Sequence, residues 1–335
     1  MRHKPVIHYF PLEHLEQRYT THLDSAILEY LNQSNIAYRR YYPEMYGREK
    51  AAPPKGCFLN AKGTIEFKMR QIAELAQNWD WVKDGDILFF SDLWFPGLES
   101  IRYLEHFTHK KNIQIRGLLH AGSFTDTDEV RKLERWAAPL ENSWFDQIDQ
   151  VFVGSNFMKL EVCSRRILPE SKVDVTEFPL DAKLKSIKRQ PKENIVVFNG
   201  RDHDEKQPWL FDKLARNLAH TGARFIWTQK MGYSKQQYYD LLSRAKLVVS
   251  FALQENFGFG ILEAAYLGCH PVLPKRLVYP EFFNEFVSPH ATFYRDYDEC
   301  EREVADLLDS ETNIPKDSPG CFNRFFDIPE KWFNP

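Results

Sequence analysis

Cysteine is scarce in this chain. Its five residues, Cys57, Cys163, Cys269, Cys300 and Cys321, are odd in number and scattered, with no Cys-x-x-Cys pair. That argues against a disulfide framework and against a zinc site, and it fits reduced thiols. Long apolar runs are missing too: no stretch reaches the ~18 residues of a membrane span. The first ten residues, Met-Arg-His-Lys-Pro-Val-Ile-His-Tyr-Phe, lack the apolar core of a signal peptide. A cytoplasmic protein without a membrane partner is the expectation. Nor is there an excess of one charge. Lys and Arg number 44 against 47 Asp and Glu, for a net charge of −3, so an extended polybasic surface for nucleic acid is not indicated. Internal repeats and low-complexity runs are absent, and no Asp-x-Asp sits in a convincing metal-binding loop.

What is present is ample material for a core. Aromatic residues make up 15% of 335 positions and charged residues 27%, a globular composition and a length suited to two domains. Apolar strand-like runs alternate with helical patterns throughout, which implies α/β structure. The expected division is an N-terminal domain over 1–182, a basic linker over 183–193, a second domain over 194–310, and a terminal segment over 311–335. The linker's Lys and Arg residues read as solvated.

The chain is organised around 245–274. Residues 245–250, Ala-Lys-Leu-Val-Val-Ser, form a continuous apolar run, as in a parallel strand buried on both faces. Gly258 and Gly260 then permit a tight turn, and Phe259 to Leu267 can form a short helix whose free amides and positive dipole end suit a phosphate. Gly268 is placed to end that helix. Glu255 and Glu263 frame the turn at an E-x7-E spacing. Carboxylates beside a phosphate site suit sugar or ribose hydroxyls, so the ligand implied is a nucleotide sugar. Earlier in the same half, a strand over 194–199 runs into Gly200-Arg201, with Lys206 just before a helix. Guanidinium and ammonium groups beside free amides hold a diphosphate well.

These features resemble retaining glycosyltransferases of the family 4 type, which have the GT-B fold: two Rossmann-like domains facing across a cleft, with a terminal segment, here 311–335, that by the resemblance packs back on the first domain. Residues 268–281, Gly-Cys-His-Pro-Val-Leu-Pro-Lys-Arg-Leu-Val-Tyr-Pro-Glu, most resemble the tRNA-queuosine mannosyltransferases. By that resemblance Arg201 and Lys206 grip the donor diphosphate. Glu255 orients the transferred sugar, Glu263 the ribose, and Gln229 lies near the base. Asn256, Phe257, Gly258, Phe259 and Gly260 form the rest of the donor site. His120, in the strand-end sequence His-Ala-Gly-Ser, resembles the histidine that contacts the donor sugar, and it joins Glu255, Arg201 and Lys206 as a catalytic candidate. No cofactor or metal is expected beyond the sugar nucleotide itself.

The N-terminal half gives weaker signals. Strand-like runs at 6–10, 38–42, 86–92, 113–119, 150–153 and 173–178 place several loops at carboxyl ends, where open α/β sheets bind ligands. His14, Glu16, Arg18 and Tyr19 follow the first strand, and Trp94 follows the third. These are the candidate acceptor-side residues. The glycine-rich loop that family 4 enzymes often carry after the first strand is missing. Asp126 and Asp128 read as helix caps, with acceptor-side carboxylates as the alternative. The expected activity is sugar transfer to a hydroxyl, with a modified nucleobase in DNA or tRNA as one acceptor class. A saccharide or small metabolite, and a non-catalytic binding module, are the alternatives.

Overall fold

The computed structural model describes residues 4–15, 18–44, 60–284, 290–309 and 319–334. Two compact units emerge, Met1–Pro179 with Ile328–Pro335, and Leu180–Asp327. Of the two tail segments described, 319–326 therefore counts with the second unit and 328–334 with the first.

In the first unit, strands β1 (Ile7–Phe10), β2 (Tyr38–Arg40), β3 (Ile87–Phe90), β4 (Gln114–Leu119), β5 (Gln150–Val153) and β6 (Val173–Val175) form a parallel sheet in the order β2-β1-β3-β4-β5-β6. Crossovers run through α1 (Tyr19–Gln33), α2 (Ala61–Gln77), α3 (Glu99–Phe107), α4 (Glu134–Gln147) and α5 (Asn156–Arg165). β1 and β3 are buried along their whole length, as the unbroken apolar runs require of strands covered on both faces. Ser155 caps α5 by accepting from the Met158 amide at 3.1 Å.

The second unit repeats the plan. Strands β7 (Glu193–Phe198), β8 (Arg224–Trp227), β9 (Ala245–Val249), β10 (His270–Pro274) and β11 (Thr292–Tyr294) pair in parallel in the order β11-β10-β9-β7-β8. Its helices are α6 (Pro208–Asn217), α7 (Lys235–Arg244), α8 (Phe259–Tyr266), α9 (Tyr279–Phe282) and α10 (Tyr297–Asp309). α7 opens with a reciprocal capping box between Ser234 and Gln237.

Each sheet reverses strand order once, between β1 and β3 and between β7 and β9. Such a reversal opens a crevice at the strands' carboxyl ends, the usual ligand site of open α/β sheets. The stretch read as solvated linker is partly engaged. Arg189 Nε donates to the Tyr266 carbonyl at 2.9 Å and Lys192 Nζ to the Leu267 carbonyl at 2.9 Å. The unsatisfied carbonyls at the α8 C-terminus attract these cations, a sink that composition alone does not show. No helix among the described residues is long and apolar enough to cross a membrane, and Cys163, Cys269, Cys300 and Cys321 are unpaired thiols.

Candidate functional site

In the second unit the strand-order reversal is flanked by the β7 exit and the β9 exit, and three links tie these loops together. The Leu253 amide donates to the Glu205 carbonyl at 2.7 Å. Lys206 Nζ donates to the Gln254 carbonyl, and it lies 3.2 Å from a Glu255 carboxylate oxygen. The other Glu255 oxygen accepts the Gly258 amide at 3.1 Å. Glu255 thus sits at the start of α8, where a carboxylate is favoured by the helix dipole. Gly258 makes the turn possible with φ 79°, a left-handed conformation costly to residues with a Cβ. Gly260 abuts the β7 exit so closely that a Cβ there would lie 2.7 Å from Asn199 Nδ2.

Arg201 and Lys206 are brought together by a residue the sequence reading passed over. Glu205 is 3% exposed. It is ion-paired to the Arg201 guanidinium, with Lys206 Nζ at 3.8 Å. A buried carboxylate demands cationic partners, so Glu205 holds the two candidate phosphate ligands on one short loop. Spacing could have flagged it, because Arg201 and Glu205 stand four apart. Gln229, expected near the base, accepts the Asp202 amide at 2.6 Å and so flanks the same loop. Asn256 accepts from the Gln254 amide group at 2.8 Å.

Two expected donor residues face inward. The Phe257 ring is buried among Phe259, Phe282 and Phe325, which leaves its backbone as the part a ligand can meet. Glu263 is also buried. Its Oε1 accepts from Lys235 Nζ at 2.8 Å and from the Tyr239 hydroxyl at 3.1 Å. That hydroxyl lies 3.0 Å from Asp181 as well. With one proton to donate, it serves one carboxylate at a time. Burial, then the Glu263 and Asp181 charges, push the Tyr239 phenol far above its ordinary pKa.

The first unit has a pocket of about 100 Å³ at its own strand-order reversal, lined in part by Arg18, Tyr19, Lys68, Asp92, Trp94 and His120. His120 Nε2 bonds the Ser91 carbonyl at 2.8 Å, and its ring lies 5.1 Å from that of Tyr19. Burial lowers the imidazole pKa; the Lys68 charge acts the same way, while Asp92 and the Ser91 carbonyl oppose it. Trp94 is held by its indole N–H donating to Glu141 at 3.1 Å. His14 is not among the lining residues. It is drawn to the buried Asp24, 2.7 Å away, which also pairs with Arg40. Glu16 lies outside the described residues. Asp128 caps the following helical turn at the Val130 amide, 2.9 Å, and Asp126 pairs with Arg165 at 2.6 Å. Sequence reading missed Lys68 and Asp92, 24 residues apart and joined only by the fold.

No family model matches the chain. A tRNA-queuosine alpha-mannosyltransferase of Drosophila melanogaster is 43% identical over 49 residues, which is 15% of this chain and 13% of that relative. Among solved structures, the apo lipopolysaccharide outer core galactosyltransferase WaaB aligns with TM-score 0.66 at 15% identity, covering 98% of this chain and 97% of the other. The catalytic domain of starch synthase IV from Arabidopsis thaliana, bound to ADP and acarbose, aligns with TM-score 0.62 at 11% identity over 98% and 96%. HepE from Anabaena, in complex with UDP and glucose, aligns with TM-score 0.56 at 12% identity over 90% and 89%. At these identities the likeness is one of fold, and the two parallel-sheet α/β units are those of the GT-B glycosyltransferase structures.

Proposed function

We propose that this chain is a retaining glycosyltransferase that moves a sugar from a nucleoside diphosphate sugar to a hydroxyl. The observation that carries this reading is the convergence of Arg201, Lys206 and Glu255 at the head of α8, through the links from Glu205 and Lys206 to the β9 exit. In this reading the diphosphate lies against Arg201, Lys206 and the first turn of α8. As the anomeric bond breaks, negative charge grows on the leaving group, and fixed cations and helix amides stabilise it without reorganising. Glu255 orients the sugar hydroxyls and Glu263 the ribose. The departing phosphate takes the acceptor proton, so no protein base is required. The cationic pair does the work a metal does elsewhere, and turnover is expected to survive chelation.

The acceptor is proposed to be a modified nucleobase, in tRNA or DNA. The stretch shared with the queuosine mannosyltransferase supports this, as does the aromatic lining of the first unit's pocket, since aromatic faces stack on bases. Incubation with a panel of UDP, GDP and ADP sugars, with and without tRNA or DNA, tests both parts. Released nucleoside diphosphate and a hexose or pentose mass added to a nucleoside are expected. No release from any donor would overturn the transferase reading, and release without nucleoside modification would overturn the acceptor.

A further inference from the structure

The first unit's pocket contains a pair of opposite charges that the donor chemistry does not use. Lys68, on α2, is 5% exposed in its side chain; its ammonium donates to Asp92 Oδ2 at 2.8 Å and to the Trp94 carbonyl at 2.5 Å. Asp92 Oδ1 accepts the Trp94 amide at 3.2 Å. Withdrawing such charges from water is costly. Here they line a cavity together with Tyr19, Phe67, Trp94 and His120.

The cavity's size and charge limit what it can take. Its volume of about 100 Å³ is of the order of the ~150 Å³ cavity that holds one benzene. One small ring suits it. The lining includes three acids, Glu13, Asp92 and Asp128, and two cations, Arg18 and Lys68. Glu13 accepts from the Thr64 hydroxyl at 2.6 Å, Asp92 from Lys68, and Asp128 from the Val130 amide. With each of its acids already holding a donor and its charges nearly balanced, the pocket compensates neither an anionic nor a cationic guest for lost hydration. A carboxylate has about four acceptor positions, so Asp92 has capacity left for a hydroxyl donor. The aromatic walls favour a ring.

We propose that this pocket takes a single uncharged, ring-sized group bearing a hydroxyl, with Asp92 accepting the hydroxyl's hydrogen bond and Lys68 fixing the carboxylate. That this group is the sugar acceptor rests on the transferase reading; that the pocket selects it does not.

Ligand-observed NMR on the full chain tests the selection directly, with toluene, benzyl alcohol, 5-hydroxymethyluracil and 4-(hydroxymethyl)benzoate as probes. The neutral alcohols are expected to bind about tenfold or more tighter than toluene and than the benzoate, the effect of a hydrogen bond to a charged acceptor. In the Lys68→Met/Asp92→Leu double variant, which removes both charges and leaves neither unpaired, toluene still binds and the preference for alcohols disappears. Equal binding of the benzoate and benzyl alcohol, an intact alcohol preference in the double variant, or no binding of any ring would each overturn the proposal. Nucleoside diphosphate release by the wild-type chain is read separately. Rings that bind without turnover of any sugar nucleotide would leave the pocket's selectivity standing and remove the transferase reading.

Discussion

The Lys206 ammonium lies 3.2 Å from the Glu255 carboxylate, joining a loop at the β7 exit to one that closes on the head of α8. Lys206 is nearly buried, whereas Arg201 is about one-third exposed in its side chain. The two basic residues therefore differ in what their removal does.

Arg201→Ala leaves Glu205 with Lys206 as its remaining cation. It is expected to lower kcat/KM for sugar-nucleotide turnover about a hundred- to a thousandfold, as loss of a charge-stabilising donor does. Lys206→Met strips two carboxylates of a partner and is expected to lower Tm as well. Steady-state kinetics beside thermal denaturation separates the two effects.

Gly258 and Gly260 are needed for different reasons. Gly258→Ala meets nothing closer than 3.5 Å but must hold φ 79°, a strain of about 1–2 kcal/mol. Gly260→Ala has ordinary backbone angles to satisfy, but its Cβ would press on Asn199 Nδ2, an overpacking cost of about 1–3 kcal/mol. Gly258→Asn, a residue tolerant of positive φ, is expected to recover part of the first loss, and Gly260→Asn none of the second. Urea denaturation of the four variants decides this.

The E-x7-E spacing identified Glu255 and Glu263 in the sequence, but it did not reveal their unequal surroundings. Glu263 is enclosed by Lys235 and Tyr239. Glu263→Ala is therefore expected to cost about 1–3 kcal/mol by leaving buried partners unmet. Glu263→Gln keeps the volume and an acceptor. It is expected to fold close to wild type while raising the KM for donor, as measured by denaturation and kinetics side by side.

Burial brings the His270 imidazole down to about 4, with the His290 charge adding to the effect. Its Nδ1 has no hydrogen-bond partner among the described residues. The unfolded chain takes up this proton near pH ~6.5, so between about pH 6.5 and about 4 the unfolded state binds more protons, and stability falls as pH falls. The full effect is roughly 3 kcal/mol. His120, lowered chiefly by burial, contributes with the same sign. Denaturation across pH 4–7 is expected to show the loss, and His270→Gln to flatten it.

Much of the plan was legible because its signals are local. Apolar runs such as 87–90 and 245–249 mark strands buried on both faces, and the glycines around Phe259 mark the start of a helix. α3 was not legible. Of its nine residues Ile101 is buried, while Tyr103 and Phe107 are 65% and 63% exposed; two and a half turns following a Pro-Gly pair give little length from which to read a helix. Glu205, Lys68 and Asp92 look like solvated surface in one dimension. Tertiary packing withdraws them from water and gives them partners. His14, at the carboxyl end of the first strand, is held by Asp24, a partner ten residues on that its position in the sequence does not announce.

The first unit also depends on the far end of the chain. Trp332 is fully buried, its indole N–H donates to Thr176 at 3.1 Å, and Phe333 lies 4.7 Å from Phe89 across their ring centres. On the ribosome, Phe89 emerges early and must wait through the whole of the second unit before these two rings are made. The half that is synthesised first is thus completed last, and a reading error near codon 332 would damage structure laid down some 240 residues before it.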